Sequence, residues 1–241
     1  MKSKIMLFAS IALIVGTQAT PVIAKSPKAE ANEAVYGRKI LREFAACVVD
    51  SHRNLARQFA LMGTNDRLND TDFQKLASGR CLGFRGGRLK MHPEYFRGAL
   101  ANRLVVVDLS GEPPLIPDNI PPLEWDLPVP PTDPVLASDK QVPNSDEEKQ
   151  KQKYDLALAL TLTAQLGECV VRKDAAASRI VLETAVDSPD ELAKLKEMNA
   201  TIAQCVASGQ TLSFNRTNLR NSLAISYYRL ANAQRNSGAL R

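Results

Sequence analysis

Apolar residues recur at intervals of three and four through both ends of this chain. Leu156, Leu160, Thr163, Leu166, Cys169 and Val170 mark one side of a helix over 154–172. Asp174 is placed to cap a short helix reaching Thr184. Ser188 and Pro189 open a third helix, as cap and first residue, and its stripe of Leu192, Leu195, Met198, Ile202 and Cys205 has the spacing of a buried face. Asn215 caps a fourth, whose inner side is Leu219, Leu223, Tyr227 and Leu230. The earlier half follows the same plan: an opening helix through Val49, Ser51 as a cap, a helix to Met62, a turn around 64–70, a helix to Arg80, and Pro93 at the start of the last.

The likeness extends to residues. CVVDSHRNLAR from Cys47 aligns with CVVRKDAAASR from Cys169, and FRGALANRL aligns with LRNSLAISYYRL, with a second cysteine between the two segments in each half. Arg57 pairs with Arg179, Cys81 with Cys205, Arg97 with Arg220 and Leu100 with Leu223, an order that points to internal duplication. Four cysteines allow three pairings, and a copied unit most simply carries its own staple, which favours Cys47 with Cys81 and Cys169 with Cys205. Closing such a loop adds about 3–4 kcal/mol on the chain-entropy model. The expected fold class is all-α: two tandem disulfide-stapled helical modules, each of about four short helices, joined by a Pro-rich linker.

Composition then divides the 241 residues further. Lys2 and Lys4, the apolar run Ile5–Val15 and the small residues before Lys25 form a signal peptide over 1–24, cut after Ala24. That run is too short to span a bilayer, which takes about 20 residues, and no later segment is read as a span. Module 1 covers 25–104 and module 2 covers 149–241. Between them, 105–148 holds ten of the fourteen prolines, and proline there excludes both a continuous helix and a central strand. This linker carries ten acidic residues and one lysine, so the net charge of +5 hides two basic modules and an acidic strap. Leu115, Ile116, Leu123, Trp125, Leu127 and Val129 are too many apolar residues for a solvated spacer, so parts of it should lie against a module.

The CVVR-type run, the second cysteine downstream and the RGALA-type last helix resemble a group of uncharacterised exported bacterial proteins that carry this module, often in tandem. The resemblance covers both modules and not the linker. It implies export and no particular activity. Asp50 and Ser51 depart from it, standing where the second copy has Arg172 and Lys173.

Candidate chemistry is sparse. His52 and His92 lie in different elements with no metal-ligand spacing, and no nucleophile elbow, Walker loop or C-x-x-C redox motif is present, so no metal, cofactor or catalytic residue is assigned. The stretch from Arg80 to Arg103 stands out. Arg80, Arg85, Arg88, Lys90 and Arg97 form a candidate anion-binding set, continued by Arg103, with Glu94 the one acid among them and Gly83, Gly86 and Gly87 allowing close backbone approach. The plainer reading is a solvated loop, or a patch neutralised by the acidic linker. For the paired arginines, an ion pair or a guanidinium capping helix carbonyls is favoured over a shared ligand site.

The expected function is a non-enzymatic interaction or scaffold protein of the bacterial envelope, periplasmic or secreted, binding an anionic partner other than nucleic acid through a basic face. The alternative is an envelope hydrolase with a carboxylate site that carries no recognisable motif.

Overall fold

Helix-starting residues act where the sequence puts them. In the computed structural model, which describes residues 27–63, 66, 68–81, 92–112, 115–130, 145–206 and 215–238, Pro27 opens α1 (Pro27–Leu61) and Asn69 caps α2 (Asp70–Leu76). His92 and Pro93 start α3 (Pro93–Asp108), with His92 itself the cap, its Nδ1 accepting from Glu94 N at 3.4 Å. The second half holds α4 (Ser145–Lys173), α5 (Ala175–Glu183), α6 (Pro189–Glu197), α7 (Asn199–Ala203) and α8 (Arg216–Gly238). No strand occurs among the described residues. The signal-peptide reading of 1–24 lies outside them, as do Arg85, Arg88 and Lys90.

Local physics accounts for the departures from expectation. The break expected at Ser51 falls at His52, whose φ of −137° and ψ of 45° kink α1 into two helices. The single helix expected over 189–205 is interrupted at Met198, but Ile202 N still bonds to Met198 O at 2.9 Å, so the chain keeps its course. Leu195, Met198 and Ile202 are buried as the stripe requires, while Leu192 is exposed. α4 starts nine residues before Tyr154, because SDEEKQKQK is made of good helix formers and Lys149 pairs with Asp146 at 3.1 Å one turn away. Extended in this way, Glu148–Lys173 is long and apolar enough, by length and composition alone, to cross a membrane. In the fold, however, its inner side (Thr161, Ala164, Leu166, Val170 and Val171) is buried.

Two helices form the centre. α3 and α8 pack along each other, α1 covers α3 and α4 covers α8, so Leu100 and Leu104 from one half join Leu223 and Leu230 from the other in one continuous core. α4 and α8 meet at Gly167, where any Cβ would stand 2.6 Å from the Ser222 backbone carbon, so only glycine fits. Both cysteine pairs join as the sequence favours, Cys47 with Cys81 at a Cα separation of 5.6 Å and Cys169 with Cys205 at 5.8 Å. With no free cysteine remaining, the chain is suited to an oxidising environment.

The Pro-rich segment is partly built into this body. Its first residues, Val105–Asp108, continue α3. Beyond a 3-10 turn at Pro117–Asn119, Arg172 on α4 donates to the carbonyls of Pro117 (3.0 Å), Ile120 (2.9 Å) and Pro121 (2.7 Å). Glu168 accepts from Leu123 N and from the Trp125 indole N–H, and the Arg229 guanidinium lies 4.6 Å over the Trp125 ring. Prolines deprive the strap of backbone donors but not of acceptors, which explains why an arginine holds it. It also explains the departure at this position, since Asp50 in the first half meets Arg103 at 3.2 Å instead.

Asp108 ties the end of α3 to its neighbours. Its carboxylate, 1% exposed, accepts from Arg57 at 2.7 and 3.0 Å, from Arg53 at 2.7 Å and from the Tyr228 hydroxyl at 2.8 Å. Burial pushes this carboxyl up, but hydrogen bonds from Arg57, Tyr228 and Arg53 outweigh it and hold the group at about 2, below its ordinary 3.8. A carboxyl held low in the folded state stabilises that state above its unfolded value and loses the contribution as pH falls toward the folded one. The contribution amounts to about 2 kcal/mol at neutral pH, with roughly half of it gone near pH 3. Urea unfolding of Asp108→Asn beside the parent should therefore show a gap that narrows from pH 6 to pH 3. A gap independent of pH would contradict this account.

Candidate functional site

Helical periodicity on three separate helices builds most of one cleft. Arg38, Leu41, Arg42 and Ala46 recur on α1, Ala99, Asn102, Arg103 and Val106 on α3, and Arg216, Thr217, Arg220 and Asn221 on α8, and all of them face an open cleft whose space of about 710 Å³ includes the solvent at its mouth. Leu182 at the end of α5, Val186 and Asp187 in the following turn and Glu191 on α6 complete the lining. Five arginines thus meet two carboxylates.

Those two carboxylates are committed. Asp187 accepts from Arg38 Nε at 3.0 and 2.8 Å and lies 3.6 Å from Arg216, and its φ of 62° puts it in the left-handed region that Asp tolerates better than most side chains. Glu191, 1% exposed, accepts from Arg220 at 2.8 Å, from Arg216 at 3.3 Å and from the Asp187 backbone N–H at 2.7 Å. Arg220 is fully used as well, donating to Glu191, the Asn102 side chain, Thr184 and the Leu182 carbonyl. Burial lowers it from its ordinary value, Glu191 opposes that, and the nearby Arg42 guanidinium lowers it further.

Three donors in the lining remain open. Arg42, exposed on α1, has no hydrogen-bond or ion-pair partner among the described residues. Arg103 Nε and Asn221 Nδ2 are buried atoms with no acceptor. Buried donors are nearly always satisfied, so unsatisfied ones beside an unpaired guanidinium mark a place for acceptor oxygens.

Of the expected anion-binding residues, Arg80 and Arg97 are among those described. Arg80 is exposed on the turn at 79–81, away from this lining, and among the described residues of the basic stretch Arg103 is the one that reaches the cleft. Arg97 is corrected: at 1% exposure it points inward, its Nη1 donating to the carbonyls of Met62 (3.0 Å) and Gly63 (2.6 Å) and its charge meeting Glu94 at 2.6 Å, and although its Nε is buried without an acceptor, as Arg103 Nε is, it lies outside the lining of the cleft. Arg97 and Arg220 both cap the carbonyls that end a helix. Arg57 holds Asp108, and Arg179 donates to the carbonyls of Leu109 at 2.8 Å and Glu112 at 3.2 Å. All four paired arginines serve the fold.

Sequence reasoning missed Arg38, Arg42, Arg216, Asn221, Asp187 and Glu191. One signal was legible: Ser188-Pro189-Asp190-Glu191 is a capping-box pattern, and Glu191 does reach back across the helix start. The other residues carry no local signature, Asp187 being a turn residue and the rest polar positions on helices far apart in the chain.

A larger groove of about 1490 Å³ runs between α4 and the starts of α2 and α3. Its polar groups serve local structure: His92 caps α3, Glu94 pairs with Arg97, and Asp66 accepts from Gly63 N. Burial pushes the Glu94 carboxyl up, against the pull of Arg97 and His92. Among the described residues no group of three His, Cys, Asp or Glu side chains is placed to hold a metal. No protein-family model, no curated protein and no solved structure matches this chain.

Proposed function

We propose that this chain is an exported binding protein of the bacterial envelope that acts without chemistry and holds an anionic partner in the arginine-lined cleft. The observation that carries the reading is the set of open donors at one place, Arg42, Arg103 Nε and Asn221 Nδ2, beside two further arginines neutralised only by Asp187 and Glu191. The two disulfides support export, and the basic flanks support an acidic partner. The hydrolase alternative has less behind it. Both cleft carboxylates are engaged by arginines, and no histidine, cysteine or serine stands in the described lining.

The chain is read as a fused pair of related modules, 25–104 and 149–241, belonging with the tandem CVVR-type exported proteins. What supports this is the shared pattern of a kink at His52 and a cap at Asp174, one staple in each half, and Arg97 and Arg220 in the same capping task. The site then belongs to neither module alone, because α1 and α3 supply one wall and α5, α6 and α8 the other.

Inorganic phosphate is a suitable probe. Titrated into chain 25–241 at about 20 mM and about 200 mM salt, it should shift the amide resonances of Arg42, Asn102 and Asn221, and the shifts should survive the higher salt better than binding to an open surface does. The Arg42→Ala/Arg103→Ala variant should bind about tenfold more weakly, the value of charge-assisted hydrogen bonds. Undiminished binding by that variant, or shifts centred on Arg80, would sink the cleft as the site.

A further inference from the structure

The cleft is not polar throughout. Between the arginines, Leu41, Ala46, Ala99, Val106, Leu182 and Val186 form an aliphatic floor, with no aromatic ring against which a sugar or nucleobase would stack. Ala99 and Val106 are two turns apart on α3, so this floor runs for about 10 Å, the length of an extended chain of roughly eight carbons. The open donors share the lining with this floor. Beside them Asp187 holds Arg38 and Arg216 from a left-handed backbone conformation, a strained position of the kind that gathers at binding sites.

We infer that the cleft takes a small amphiphilic anion, a phosphate or carboxylate head on an aliphatic body, whose head displaces the Asp187 carboxylate from Arg38 and Arg216. The inference rests on the binding function proposed above and adds the chemical class of the ligand. A polyanion such as an acidic polysaccharide would satisfy the arginines but leave the aliphatic floor uncovered. A neutral lipid would cover the floor and leave Arg42, Arg103 Nε and Asn221 Nδ2 without acceptors. Asp187 acts as an internal substitute for the head, neutralising two arginines until an outside anion takes its place.

Calorimetric titration of chain 25–241 with octyl phosphate, octanoate, octanol and inorganic phosphate tests this. Each buried methylene is worth about fourfold in affinity, so octyl phosphate should bind more than about tenfold tighter than inorganic phosphate even with its chain half covered. Octanoate should bind as well, and octanol should not. Arg42→Ala, on an exposed helix position that folding does not need, should weaken octyl phosphate about tenfold. Asp187→Asn keeps a residue that tolerates the left-handed region and removes the competing charge, so it should tighten octyl phosphate by about threefold or more.

Octyl phosphate binding no tighter than inorganic phosphate, with both weakened by Arg42→Ala, would overturn the amphiphile and leave the anion site standing. Octanol binding as tightly as octyl phosphate would overturn the need for a charged head. Weaker binding by Asp187→Asn would overturn displacement. Indifference of every anion to Arg42→Ala would remove the parent reading itself. Phosphatidylglycerol vesicles that retain the chain without competition from octyl phosphate would move the ligand into a bilayer and overturn the soluble amphiphile.

Discussion

Replacing Glu191 with alanine should lower the free energy of unfolding by about 3–5 kcal/mol, because it strands the Arg220 guanidinium in the interior without its countercharge. Arg220 is 5% exposed and joins α8 to the end of α5, to α6 through Glu191 and to α3 through Asn102. Glu191 also accepts from the Asp187 backbone, so its loss frees the turn that carries Asp187 as well. Lysine at position 220 should not restore the parent, since a single ammonium cannot reach Asn102, Thr184, Leu182 and Glu191 at once. Urea unfolding of Glu191→Ala, Arg220→Met and the double variant gives the coupling directly, and the double variant should lose less than the two single losses added together. A Glu191→Ala loss below about 1 kcal/mol would mean that water reaches Arg220 and that the pair is a surface one.

Removing the Cys169–Cys205 staple as a double alanine variant should cost about 3–4 kcal/mol, the value expected when a loop of this length is no longer closed in the unfolded chain. The two half-cystines are 36 residues apart and join the end of α4 to the turn after α7. α6 and α7 are short, and α7 buries Ile202 alone, so little else holds them against α4. Hydrogen exchange should rise first over 189–205 in this variant, while α3 and α8 stay protected by the central core. The Cys47–Cys81 variant should behave alike around α2, whose described interior contribution is Leu76. Equal loss of protection along the whole chain would show the staple acting on global stability with no local unit.

The Arg42→Ala/Arg103→Ala and Asp187→Asn variants test a different layer. Arg42 is exposed, so its loss should appear in binding with stability little changed, whereas Asp187, 12% exposed and paired with Arg38, should cost some stability as well. Glu191→Ala should disturb both, because Glu191 serves the core and the cleft rim together.

Much of the scaffold was legible in the sequence, and the reason is that its signals are local. Proline and a capping side chain fix a helix start within a few residues, which is why Pro93, Asp174 and Ser188 act where they were expected to. Periodicity marks the buried side of a helix, and Leu219, Leu223, Tyr227 and Leu230 are buried accordingly. The cysteine pairing followed from the repeated order of residues. The strap was legible in part: its apolar residues predicted contact, but nothing local linked it to the residues that hold it, Arg172 of the CVVR run and Glu168.

What tertiary structure alone decided is how the helices meet, and with it the cleft. The same 3.6-residue period that hides one side of α1, α3 and α8 leaves their other sides unspecified, and only the packing of α3 along α8 brings Arg103 and Asn221 to one place. Arg97 shows the converse. Sequence counted it both as one charge in a basic stretch and as a paired arginine with a structural task, and it is turned inward because the carbonyls ending the kinked first helix need a donor that no backbone N–H supplies. Local sequence determined the helices and most of their starts, since each depends on residues a few positions apart, and the repeated order of residues favoured the staples between cysteines 34 and 36 residues apart. In the cleft, Arg38, Arg103 and Arg220 meet partners 149, 53 and 118 residues away, and that is why the candidate site appears only in the folded chain.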